Sequence, residues 1–229
     1  MAKVRTYKTN RNWIEIYIFA SLFQLLSLIV TAQQFNNNSS CLEAKNRIQN
    51  AKVLYLQGEY ERTIFEVLEV VNLGIQDSCP KQLIVAYSIQ AQAFEKQLDI
   101  ENTLVSYLNA ISIAEKNSYD SISIHLYRTV GDIFFQRQVY PKAADYYAQA
   151  LDLIDDENTE QRLFFLENLG LSNLGYNNQD EAVKAYQNIL TITKSSPYLP
   201  IRSRAYFQLS EIFRKQKNWI KAIEYCNYL

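Results

Sequence analysis

A spacing constrains this chain more than any motif does. The small residue Gly131 recurs as Ala51, Ala91, Gly170 and Ser210, at steps of 40, 40, 39 and 40 residues. Three further columns keep the same register. Ala143 recurs as Thr63, Thr103, Ala182 and Ala222; Tyr147 as Val67, Tyr107, Tyr186 and Cys226; Tyr140 as Tyr60, Ile100, Gln179 and Trp219. Self-similarity at such a period marks a stack of small units, each unable to bury its apolar face without its neighbour. The clearest copy, Tyr127 to Ala150, reads as two short helices. Tyr127, Val130, Gly131 and Phe134 share one face of the first, and Ala143, Tyr147 and Ala150 one face of the second. Pro141 stands where the second helix begins, a place that tolerates a missing N–H. Glycine inside a helix costs about 1 kcal/mol relative to alanine. That cost makes sense where another helix packs into the gap.

Extended through the chain, the register predicts an all-α protein of five helix pairs. They fall at about 41–77, 80–117, 119–156, 158–195 and 198–229, the last one incomplete. Within them helices are expected near 42–57 and 60–76, 80–97 and 99–117, 119–138 and 140–155, 158–176 and 178–194, and 198–216 with 218 onward. Gly58 and Gly74 fall where helices should end. The acidic run Asp155–Asp156–Glu157 reads as a solvated loop before a helix N-terminus, which acids favour, rather than as a metal site. Only five glycines and four prolines leave little material for tight-turned sheets. With a net charge of −1, no basic surface for nucleic acid is expected.

The column order (bulky, apolar, small, aromatic, then small, aromatic, small) resembles the tetratricopeptide repeat, TPR. The resemblance covers roughly Cys41 to Leu229. It is strongest in the copy around Gly131 and weakest at the start of the first, where Arg47 and Asn50 occupy columns that are usually apolar. The commonest TPR period is about 34 residues, so this chain is similar to the longer-repeat type. The resemblance implies a right-handed α-solenoid of antiparallel helix pairs whose concave face binds a protein or peptide. It places the candidate groove on the first helix of each pair. Those residues are His125, Arg128, Asp132 and Phe135; Ser88, Gln92 and Glu95; Phe164, Glu167, Leu171 and Leu174; and Arg204, Phe207, Glu211 and Arg214. The family's peptide clamp, which holds a terminal carboxylate with Lys and Asn, is not reproduced by Arg128 with Asp132 or Phe207 with Glu211.

The same resemblance brings two cysteines to one edge. Cys41 and Cys79 precede the first helices of adjacent pairs, so a disulfide between them is a candidate in an oxidising compartment. It requires Cα atoms within about 7 Å, whereas neighbouring helix axes lie about 8–10 Å apart. The alternative is two unpaired thiols near loops. Cys226 replaces an aromatic residue in its column and is expected to be buried.

The N-terminus stands apart. Lys3, Arg5, Lys8 and Arg11 precede an apolar run from Ile16 to Val30, followed by Thr31-Ala32. A basic start, an apolar core and a small-residue exit predict a signal peptide over 1–32, with an uncleaved anchor as the rival reading. The stretch 33–40 reads as a polar linker. Export to the periplasm or cell surface follows, with the membrane touched only through this segment or a helix beyond Leu229. Leu209, Phe213, Ile223 and Tyr225 are expected to lack a covering helix, which suggests that the chain continues and admits a homo-dimer as another way to cover them.

No catalytic pattern is found in the sequence. His125 is the single histidine and has no second ligand to build a zinc site. No phosphate-binding glycine loop and no Gly-x-Ser-x-Gly elbow is present. No cofactor and no enzyme activity are expected within these residues. Exported arrays of this kind resemble the N-terminal sensing regions of membrane histidine kinases, especially of Bacteroidetes-like bacteria. The other expectation is a freestanding scaffold that assembles partner proteins.

Overall fold

The computed structural model describes residues 6–73, 75, 78–194 and 199–228, and the side chains among these other than 6–21, 35–37 and 199. The described residues form α-helices joined by short turns. In order these are α1 (Thr6–Leu56), α2 (Tyr60–Asn72), α3 (Pro80–Lys96), α4 (Ile100–Lys116), α5 (Asp120–Gln136), α6 (Tyr140–Asp152), α7 (Thr159–Gly175), α8 (Gln179–Ile192), α9 (Leu199–Lys215) and α10 (Trp219–Cys226). The chain divides into two compact units, residues 1–99 and 100–229. In the first, α1 packs on α2 and α3, and α2 on α3. In the second, each helix from α4 to α10 packs on the next.

The repeat register is written into the backbone of the turns. The turn inside each pair carries one residue of positive φ: Gly58, Leu98, Gln138, Asn177 and Lys217. These recur at steps of 40, 40, 39 and 40 residues, as the small-residue column does. Each turn closes with the same two backbone bonds. Around Leu98, its N–H donates to the Glu95 carbonyl and the Asp99 N–H to the Phe94 carbonyl, at 3.0 and 2.9 Å. Equivalent bonds form at Gly58, Gln138, Asn177 and Lys217. This is the Schellman pattern, which satisfies orphan carbonyls at a helix end. The conformation is cheap for Gly58 but costs Leu98 about 1 kcal/mol or more.

The small column meets the aromatic column, as the sequence pattern requires. A methyl group added at Gly131 would come within 2.8 Å of the Tyr147 ring, and one at Gly170 within 2.8 Å of Tyr186. Both rings are almost completely enclosed, at 1% exposure each. The glycines therefore let α5 approach α6 and α7 approach α8, so that each ring is removed from water. Burial of a side chain of this size contributes about 2–3 kcal/mol. Pro141 lies in the first turn of α6, as expected, and Pro80 plays the same part in α3.

Three expectations need correction. Residues 33–40 are helical: α1 runs without a break from Thr6 through the polar stretch to Leu56. That stretch holds no glycine or proline, and Asn, Gln and Ser each cost a helix only about 0.7 kcal/mol or less, too little to stop it. Cys226 is exposed, because it ends the short helix α10. Leu209 and Phe213 are buried in a core with Leu166, Tyr186, Ile189, Ile212 and Ala222. Tyr225 is partly buried against the same core, while Ile223 is exposed as expected, together with Trp219 and Ile220 on α10. The expected cap Gly74 lies outside the described residues.

Candidate partner-binding grooves

In the second unit, α5 and α7 together line an open depression of about 330 Å³. Ser121, Ile124, His125 and Arg128 come from α5, and Glu160, Gln161, Phe164 and Phe165 from α7. The Arg128 guanidinium lies 4.0 Å from the centre of the Phe164 ring. A cation over an aromatic face is held by the ring quadrupole, by about 0.5–1 kcal/mol at an exposed site. Phe164 meets Phe165 edge-on, with ring centres 5.1 Å apart. The depression thus has an aromatic wall, one guanidinium, one imidazole and the Glu160 carboxylate.

The other groove candidates do not join this pocket. Asp132 is occupied: one carboxylate oxygen accepts from the Tyr147 hydroxyl at 2.7 Å, and the other lies 3.7 Å from the Arg128 Nε. Burial and the neighbouring Asp132 charge push the Tyr147 phenol well above its ordinary range, which keeps it a donor. Phe135 packs against Tyr140 at the turn, edge to face at 5.4 Å. Arg204 on α9 grips Glu167 on α7 through both guanidinium arms, the Nη2 bond measuring 3.0 Å. That hydrogen bond raises the already high pKa of Arg204. Glu211 is held by Arg214 on its own helix, at 2.9 and 2.6 Å, and the contact lowers the Glu211 carboxyl pKa. Phe207 is half exposed on α9. This face is therefore largely neutralised by its own ion pairs, Arg128 lying both near Asp132 and over the Phe164 ring.

The sequence reading missed Ser121, Ile124, Glu160, Gln161 and Phe165. All lie within one helical turn of His125 or Phe164 on the same helix, so the 3.6-residue period would have found them. In the first unit it named Ser88 and Gln92, which line a groove against α1, but it missed the α1 side of that groove. The columns of His125, Arg128, Asp132 and Phe135, carried back from Gly131 to Ala51, fall on Lys45, Ile48, Lys52 and Tyr55. These four residues line two adjoining depressions between α1 and α3.

The first unit also brings the two cysteines together. Cys41 and Cys79 are paired as a disulfide, with Cα atoms 5.9 Å apart. Backbone geometry thus permits the bridge. Cys79 is the buried residue just before α3, and Cys41 lies within α1.

No family model matches the sequence. Over 185 residues it is 21% identical to the human intraflagellar transport protein 88 homolog, covering 81% of this chain and 22% of that protein. The chain thus spans about a fifth of the curated relative's length. Among solved structures it is similar to BtubC (BKLC) from P. vanneervenii, with a TM-score of 0.53, 16% identity, and 84% and 89% of the two chains covered. It is also similar to a signal transduction ATPase of the STAND type with a tetratricopeptide repeat sensor, from Pyrococcus horikoshii. There the TM-score is 0.57 at 16% identity, over 79% of this chain and 28% of that one. The fold is that of a TPR-like α-solenoid of helix pairs.

Proposed function

We propose that the chain is a non-catalytic module that binds a protein or peptide on its first-helix faces. We propose further that it serves as the extracytoplasmic sensing part of a signal-transduction protein. The observation that carries the binding role is the α5–α7 depression, where Arg128 lies over Phe164 beside His125. An aromatic wall with one cation can hold an apolar side chain and orient a polar one. It offers no paired nucleophile and base with which to do chemistry. A displayed peptide library should yield binders whose affinity falls at least tenfold in Phe164→Ala. Binders indifferent to both Phe164→Ala and Arg128→Ala would remove this reading.

The sensing and export parts rest on the N-terminal pattern and on the likeness to a protein described as carrying a tetratricopeptide repeat sensor. Residues 1–40 fused to a phosphatase that works only outside the cytoplasm should give an active fusion. An inactive fusion would reject export, and with it the extracytoplasmic placement. The second reading, a freestanding scaffold, is favoured by the neutralised α7–α9 face, where Glu167 and Arg204 already satisfy each other. A scaffold would hold two partners at once and would show no change in downstream signalling when one is withdrawn.

A further inference from the structure

We propose that the groove between α1 and α3 is a separate docking site for an internal acidic peptide segment carrying an apolar side chain between its carboxylates. The two depressions, about 450 and 280 Å³, share Lys52 and Val85 and so adjoin along one shallow channel between the helices. The larger lies within the usual range of ligand pockets, roughly 300–1,000 Å³. Its floor is apolar: Ile48 and Ile89 are buried beneath, and Tyr55, Leu56 and Val85 form the walls. Lys45 and Lys52 stand exposed along it, and no acidic side chain lines either depression.

Charge complementarity selects the occupant. On α1 the cation at Arg47 is answered within the fold by Glu43 and Glu66, at 3.2 Å each. Lys45 and Lys52 face the channel instead, where the lining supplies no carboxylate. They are seven residues apart, about 10 Å along a helix. An extended segment puts residues i, i+2 and i+4 on one face over about 13 Å, a span that the long Glu and Lys side chains can match, so two acids would flank one apolar side chain over Val85 and Ile89. The groove is too sparsely basic, and the chain too acidic at pI about 6.0, for backbone tracking of a nucleic acid. The site goes beyond the α5–α7 reading and shares no residue with it.

The test uses the full chain and a fluorescent peptide, acetylated and amidated so that no terminal carboxylate remains, with the core Glu-Ala-Leu-Ala-Glu, whose two acids and leucine share one face when extended. Saturable binding is expected, at least tenfold tighter than for the Gln-Ala-Leu-Ala-Gln counterpart and weakened by salt, as exposed charge pairs are. The double variant Lys45→Glu with Lys52→Glu should lose at least tenfold, and Val85→Asp likewise, with helical circular dichroism unchanged. Phe164→Ala should leave this binding intact, which separates its failure from failure of the α5–α7 reading. The proposal is overturned if the acidic peptide does not bind or binds no better than its neutral counterpart. It is equally overturned if the folded lysine variant binds as well as the parent, or if single-stranded DNA or anionic vesicles compete more strongly than the peptide.

Discussion

Tyr147 and Tyr186 fill the same place in successive helix pairs, yet only one of them has a partner for its hydroxyl. Each ring packs over a glycine of the preceding helix and is enclosed to the same degree. The Tyr147 hydroxyl donates to Asp132, whereas the Tyr186 hydroxyl is buried with no hydrogen-bond partner. The reason is one side chain. Asp132 follows Gly131, and Leu171 follows Gly170. The repeat therefore fixes the packing of the ring and leaves its polar end to whatever residue occupies the next position. An unpaired buried hydroxyl costs about 1–3 kcal/mol, so the later pair carries a defect that the earlier one has repaired.

The comparison can be broken most forcefully by removing the rings. Tyr147→Ala and Tyr186→Ala should each lower stability by about 3–5 kcal/mol, the usual cost of deleting a large buried aromatic. Urea unfolding followed by circular dichroism measures both. A loss under 1 kcal/mol at either site would mean that the ring is not the keystone of its pair. Filling the gap is the next largest change. Gly131→Ala and Gly170→Ala should each cost about 1–3 kcal/mol through overpacking, reduced by up to about 1 kcal/mol of helix propensity. A stabilised Gly131→Ala would show that α5 and α6 can part without penalty.

Hydroxyl deletion then separates the two sites. Tyr147→Phe should lose about 1–2 kcal/mol, while Tyr186→Phe should be neutral or stabilising by about 1 kcal/mol. Equal effects of the same sign would erase the distinction drawn above. A double-mutant cycle sharpens it further: in a Leu171→Asp background, Tyr186→Phe should become destabilising by about 1 kcal/mol, because the hydroxyl then has an acceptor. Smallest of all is Leu98→Gly. It should add up to about 1 kcal/mol by relieving a left-handed backbone in an exposed leucine, whereas Gly58→Leu should subtract a similar amount.

Much of this architecture was legible in the residue spacing. The Gly131–Tyr147 and Gly170–Tyr186 contacts are column pairs, and columns survive where side-chain size must match across two helices. The turns were less legible. Their positive-φ residues are Gly, Leu, Gln, Asn and Lys, of which only Gly58 and Asn177 belong to types that favour the conformation. Backbone hydrogen bonds fix those turns, and side chains do not record them. The length of α1 was hidden for a related reason: Asn and Ser suggest a linker by composition, but none of them forbids a helix. At the candidate groove, the helix faces were legible and the partners were not. Asp132 shares a face with Arg128, yet its bond to Tyr147 depends on a side chain from the next helix. Lys45 and Lys52 were available from the columns, but the weak apolar pattern around Arg47 and Asn50 drew attention away from the first copy.

Each hairpin of a stack is held only by its neighbours, so a single helix can open at less cost than unfolding the whole. The Cys41–Cys79 link, closing a separation of 38 residues, holds the entrance of α3 against α1. Opening of α2 is then confined within a covalent ring. Helix α2 can loosen, but α1 and the start of α3 cannot drift apart while the bridge is intact, and a reductant becomes the tool that sets them free.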